Sequence, residues 1–152
     1  MPKAGGTAYD DVEQFTLLDI LAEGPIILAF YPAAFTGGCR KEICTFSAQI
    51  LAIDDLGAKV YGVRVDLPFA QNEWIQAENL EISMLSDRNH EVIRQYEVVQ
   101  EDVFGHFETA QRSVFVVDRT EAVTFHWVQQ DESADFEDFV TTTRDAVAAI
   151  DK

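Results

Sequence analysis

Residues 26–46 read IILAFYPAAFTGGCRKEICTF, and the order of events in them limits the fold more than any other stretch. An unbroken apolar run, 26–31, has the length and content of a buried strand. Pro32 stops it. A short loop with Gly37 and Gly38 follows, and from Cys39 the apolar spacing turns helical. A cysteine therefore stands where a strand hands over to a helix. The first N–H groups of a helix lack internal partners, and with the macrodipole they favour negative charge. A thiolate is such a charge, so the position predicts a thiol of lowered pKa that acts as a nucleophile.

The remaining chain alternates in type. Residues 1–13 read as irregular or a loose hairpin, and 15–21 as a short helix. After Cys39, Ile43, Phe46, Ile50, Leu51 and Ile53 fall near helical spacing with one face inward, and Gly57 ends that helix. Val60, Tyr61, Val63 and Val65 make a strand, broken at Asp66-Leu67-Pro68. Residues 71–79 predict a helix with Trp74 and Ile75 inward, 82–85 a short strand, and 91–96 a helical stretch capped by Asp87 or Asn89. Residues 98–110 read as a loop or hairpin. Strands follow at 113–117 and 123–128, joined as a hairpin. Residues 135–150 form a helix with Phe136, Phe139, Val140, Val147 and Ile150 on one stripe, capped by Asp135 or Ser133. Strands alternating with helices, then a hairpin and a last helix, predict an α/β fold: a central mixed β-sheet flanked by helices. One domain, 1–152, is expected.

Composition excludes several functions. The formal charge is −16, from 27 acidic against 11 basic residues. Nucleic acid is a poor partner, since phosphate binding needs clustered Lys and Arg. Anionic membrane surfaces are disfavoured for the same reason, and no apolar run reaches the length of a membrane span. The start, MPKAGGTAYDD, lacks a hydrophobic signal region, so a cytoplasmic location is expected. The acids are scattered, whereas lysine occurs only at Lys3, Lys41, Lys59 and Lys152. That pattern resembles cytoplasmic proteins of halophiles; the competing reading is docking to a basic partner. Two cysteines make no disulfide scaffold. His90, His106 and His126 are isolated, so neither a metal nor another cofactor is expected.

Pro32, Thr36 and Cys39 stand as P-x-x-x-T-x-x-C, with Cys44 five residues on, and Arg112 begins RSVFVVD. From about residue 15 to its end, the chain resembles the peroxiredoxins, and within them the bacterioferritin-comigratory (PrxQ-like) branch. The resemblance implies a thioredoxin-like fold and a thiol-dependent peroxidase acting on hydrogen peroxide and organic hydroperoxides. The early G-x-x-A-P-x-F strand segment of such proteins is missing, so the N-terminal strand region is read as shortened. By resemblance Cys39 attacks the peroxide, Thr36 positions peroxide and thiolate, and Pro32 shields the thiolate from water. Arg112 stabilises the thiolate and holds peroxide oxygen; Glu42 steadies the Thr36 loop or an arginine. Gly37 and Gly38 let backbone N–H groups approach a small substrate. Arg64, Arg88, Arg94 and Arg119 are read as solvated. Arg40 and Lys41 either offset the acidity near the thiolate or are solvated too.

Magnitude decides what the site must contain. Lowering a thiol pKa from about 8.5 to about 6 raises its thiolate fraction at neutral pH only some 30-fold, about 2 kcal/mol. Most of the acceleration must come from donors aimed at the peroxide oxygens.

Cys44 separates two cycles. On an intact helix, five residues hold Cα atoms roughly 8–9 Å apart, beyond disulfide reach. A two-cysteine cycle therefore predicts local unwinding, attack by Cys44 on a Cys39 sulfenic acid, and reset by a thioredoxin-like dithiol. The alternatives are a one-cysteine cycle with Cys44 structural, or a peroxide-sensing relay. The expected state is a monomer or homodimer, with Phe35 and Phe69 the apolar candidates at such a contact.

Overall fold

The apolar run becomes β1 (Ile26–Phe30), with every residue buried. The computed structural model describes residues 1–3, 12–32, 37–103, 105–130 and 136–150, and only the backbone of 37–40, 50 and 136–139. The chain runs from α1 (Leu17–Leu21) through β1 into α2 (Gly37–Ala48) and α3 (Ile50–Asp55), then β2 (Lys59–Arg64) and α4 (Pro68–Glu78). It continues through β3 (Ser83–Ser86), α5 (Glu91–Gln95), β4 (Val99–Val103) and β5 (Phe107–Ala110) to β6 (Ser113–Val117), β7 (Val123–Val128) and α6 (Phe136–Ala148). Five strands form one sheet in the order β3-β2-β1-β6-β7, and β4 pairs with β5 apart from it. The first three strands of the sheet run parallel, whereas β6 is antiparallel to β1 and to β7. The parallel pairs need helical crossovers, which α2–α3 and α4 supply, while β6 and β7 need only a tight turn. This is the thioredoxin-like α/β arrangement that the resemblance implied.

Period-2 alternation divides the core between the two faces of the sheet. Ile27, Ala29 and Tyr31 point to one face, among Ile43 and Phe46 of α2, Ile53 of α3, Trp74 of α4, and Val140 and Val147 of α6. Ile26, Leu28 and Phe30 point to the other, among Ile20 and Leu21 of α1, Ile93 of α5, Val98 and Ala110. Each of the Val, Leu, Ile and Phe side chains among them contributes about 1.5–3 kcal/mol by leaving water. The residue that follows β1 is thus set by neighbours on both sides.

Local chemistry sets the element ends. Thr16 caps α1, accepting from the Asp19 N–H at 3.3 Å. Pro68 starts α4 rather than breaking the chain, because a first-turn proline has no N–H bond to lose. Of the two cap candidates before α5, Asp87 acts: its carboxylate accepts from the Val92 and Ile93 N–H groups at 3.1 and 2.8 Å. Residues 1–3 pair with 13–15 as the loose hairpin expected, through Lys3 N–H to Glu13 and Phe15 N–H to Met1, both at 2.8 Å. They also bond to β3, Ser86 N–H reaching the Pro2 carbonyl at 2.8 Å, and so cover that sheet edge.

Two expectations are corrected. The helix begins at Gly37, so both glycines lie in its first turn rather than in the loop. Its continuation breaks at Gln49, whose φ of −102° and ψ of 8° leave the helical region. The break turns Leu51 outward to 74% exposure while Ile53 stays buried. Val140 and Val147 of the last stripe are buried and Ile150 is half-buried. Phe136 and Phe139, as side chains, and the cap candidates Ser133 and Asp135 lie outside the described residues. No helix among the described residues is long and apolar enough to cross a membrane.

Candidate active site

Tyr31 follows the buried strand and is fixed on three sides. Its ring lies 5.2 Å from Trp74, its hydroxyl donates to Met84 Sδ at 3.4 Å, and the Arg64 guanidinium lies 6.0 Å from the ring centre. Only glycine fits beside it at position 62. A Cβ there would come within 2.4 Å of Met84 Sδ and 3.3 Å of the Tyr31 ring.

Pro32 comes next, half-buried, and its carbonyl receives two donors. One is Arg64 Nη1; the other is the Thr109 hydroxyl, at 2.7 Å. Arg64 also pairs with Asp66 and is only 13% exposed. Arg64 is therefore not solvated, which corrects the expectation. Its contact with Pro32 left no signal in the sequence, because that backbone carbonyl is 32 residues away. Arg88 is exposed, Arg94 pairs with Glu108 at 2.8 Å, and Arg119 donates to the Glu23 carbonyl at 3.1 Å.

Thr36 lies outside the described residues. Gly38 and Cys39 are the second and third residues of α2, where backbone N–H groups have no intrahelical acceptor. The Cys39 and Arg40 side chains lie outside the description; Lys41 is exposed.

The register of β6 against β1 brings Arg112 to the same end of the sheet. Phe30 is paired with Ser113, so Arg112 stands one step beyond, level with Tyr31. It is 8% exposed. Its Nη1 donates to Glu42 Oε2 at 2.5 Å and its Nε to Gln129 Oε1 at 3.1 Å. Glu42 is fully buried, three residues after Cys39 and hence on the same side of the helix. Burial pushes its carboxyl up to about 8, while the Arg112 charge and hydrogen bond pull it back. Its second oxygen, Oε1, meets no hydrogen-bond partner among the described residues. An arginine and a glutamate 70 residues apart in sequence thus form one buried pair. Of the two partners weighed for Glu42, it meets the arginine, while the Thr36 loop lies outside the described residues.

Cys44 is half-buried and packs against the cluster that holds Ile43, Phe46 and Leu80. It also lines a shallow cleft with Ser47, Ala48 and Leu51. The helix is continuous from Cys39 to Cys44, so the separation of roughly 8–9 Å applies to it. His90 Nδ1 lies 3.3 Å from Glu108, and no group of three or more metal-ligating side chains occurs among the described residues.

A model of the AhpC/TSA family matches residues 2–126. The chain belongs to that family. As a peroxiredoxin it is 32% identical over 123 residues to a putative peroxiredoxin of Coxiella burnetii, across 80% of this chain and 82% of that protein. It is 31% identical over 156 residues to a thiol peroxidase of Streptococcus sanguinis, across 97% of this chain and 86% of that one. Its fold matches the crystal structure of peroxidoxin BcpB from Mycobacterium tuberculosis with a TM-score of 0.79, at 26% identity, covering 90% and 86% of the two chains. The bacterioferritin-comigratory resemblance is thereby supported from sequence and fold together. In this peroxiredoxin, sequence reasoning named Pro32, Thr36, Gly38, Cys39, Glu42, Cys44 and Arg112 as candidates and did not foresee the contacts that Arg64 and Thr109 make to Pro32 and Gln129 makes to Arg112. Gln129 had a weak signal, a polar residue just past the apolar run of β7.

Proposed function

We propose that the chain reduces peroxides with Cys39 as the attacking thiolate and Arg112 as the cation that faces the reacting oxygens. The observation that carries this is the Glu42–Arg112 pair. It ties the residue just before β6 to the first turns of α2, whose third residue is Cys39. The thiolate attacks one peroxide oxygen; the S–O bond forms as the O–O bond breaks. The other oxygen leaves as hydroxide or alkoxide and takes a proton to give water or an alcohol. Arg112 and the first N–H groups of α2 stabilise the charge that builds on these oxygens. Thr36 positions the peroxide, and Pro32, pinned through its carbonyl, keeps water from the sulfur.

Cys44 then attacks the sulfenic sulfur, water leaves, and a Cys39–Cys44 disulfide forms after the turn between them unwinds. An external dithiol of the thioredoxin type restores both thiols. A one-cysteine cycle is favoured instead by one observation: Cys44 packs against the core on an unbroken helix. One equivalent of hydrogen peroxide, followed by mass spectrometry of thiol state, separates them. The expected result is an internal disulfide in wild type and a trapped sulfenic acid in Cys44→Ser. Sulfenic acid in both makes Cys44 structural. No oxidation of Cys39 within seconds ends the peroxidase reading.

A further inference from the structure

Glu42 meets Arg112 at Nη1, and the plane of a guanidinium is set by where its other nitrogens are held. One such contact is at Nε. Gln129 supplies it, at 3.1 Å from its side-chain oxygen. The backbone of Gln129 is held as well: its N–H donates to the Arg112 carbonyl at 2.9 Å, and its carbonyl accepts from Gln111 Nε2 at 3.1 Å.

Strand register delivers this residue. Ser113 pairs with Val128, so Gln129 falls opposite Arg112, and residues directly opposite share a face. That register is not the one set at the turn. Near the turn Val117 pairs with Val123, whereas Val116 pairs with Phe125, so β7 carries one additional residue. Had the turn-side register continued, Val128 would stand opposite Arg112, and valine accepts no hydrogen bond. The bulge therefore exchanges an apolar neighbour for an acceptor. Gln129 also lies beyond the residues that the family model matches.

We propose that Gln129 is a positioning residue, which acts through Arg112 to aim the guanidinium at the reacting oxygens. This rests on the peroxidase reading above. The test is the second-order rate of sulfenic acid formation with hydrogen peroxide in wild type, Gln129→Leu and Gln129→Glu. Thermal unfolding and the rate of Cys39 alkylation by iodoacetamide serve as controls. Loss of a hydrogen bond to a charged group predicts a fall of about tenfold in Gln129→Leu. Alkylation, which needs no donor to a peroxide, should stay near wild type. Gln129→Glu keeps an acceptor and should recover most of the rate, with its pH profile moved upward by the added negative charge. Gln129→Leu at the wild-type rate, or Gln129→Glu as slow as Gln129→Leu, overturns the proposal and leaves the peroxidase reading standing. An unreactive wild type overturns both.

Discussion

At the scale of single residues, Glu42 controls two properties. Its folded-state carboxyl is raised from 4.5 to about 8, first by burial, with Arg112 opposing. Between those values the folded chain binds more protons at this site than the unfolded chain, so stability falls as pH rises through the window. Urea unfolding from pH 5 to pH 8 should show that decline in wild type and a flatter profile in Glu42→Gln. Equal slopes would remove Glu42 as the source. Glu42→Ala removes the acceptor of a buried Arg112 hydrogen bond, and the expected loss is about 1.5–3 kcal/mol. The residues that bind backbone atoms were harder to foresee. Pro32 and Cys39 stood out by their places, after an apolar strand and at a helix start, and Arg112 by the resemblance of RSVFVVD to a strand of the family. Arg64 and Thr109 meet the carbonyl of Pro32, which any residue would present. Their partnership depends on how β2 and β5 lie in space, and no local pattern encodes it.

Among the elements, α2 and α3 show how far periodicity reaches. Apolar spacing correctly gave a helix from Ile43 onward and correctly turned Phe46 and Ile53 inward. It could not give the break at Gln49, an ordinary helix former, so Leu51 was assigned to the wrong face. The consequence is measurable. Leu51→Ser should change unfolding free energy by no more than about 0.5 kcal/mol, whereas Ile53→Ala should cost about 2–5 kcal/mol. Comparable costs at the two positions would mean that the helix continues unbroken in solution. Strands were read more accurately, because alternation and turn residues bound each one. The β6–β7 hairpin was anticipated within its observed limits. Its one-residue bulge was not, since apolar residues stand on both sides of it and the pattern tolerates either register.

The whole molecule carries a formal charge of −16, and its buried faces leave that charge to the surface. Like charges repel in the compact state, and salt screens them. The melting temperature should therefore rise between 0.05 and about 1 M sodium chloride, where the Debye length falls to about 3 Å. A melting temperature that drops across this range would argue against a surface adapted to salt. Most acids among the described residues are exposed, but Glu42, like Asp87, is buried, and it lies between the two cysteines on one helix. In the proposed cycle, any unwinding that lets the two sulfurs meet must draw Glu42 away from Arg112. A peroxide would then find its donors only while the turn is wound, and a dithiol would find its disulfide only while the turn is open. In that cycle one turn of helix would serve as a turnstile, admitting the oxidant when wound and the reductant when open.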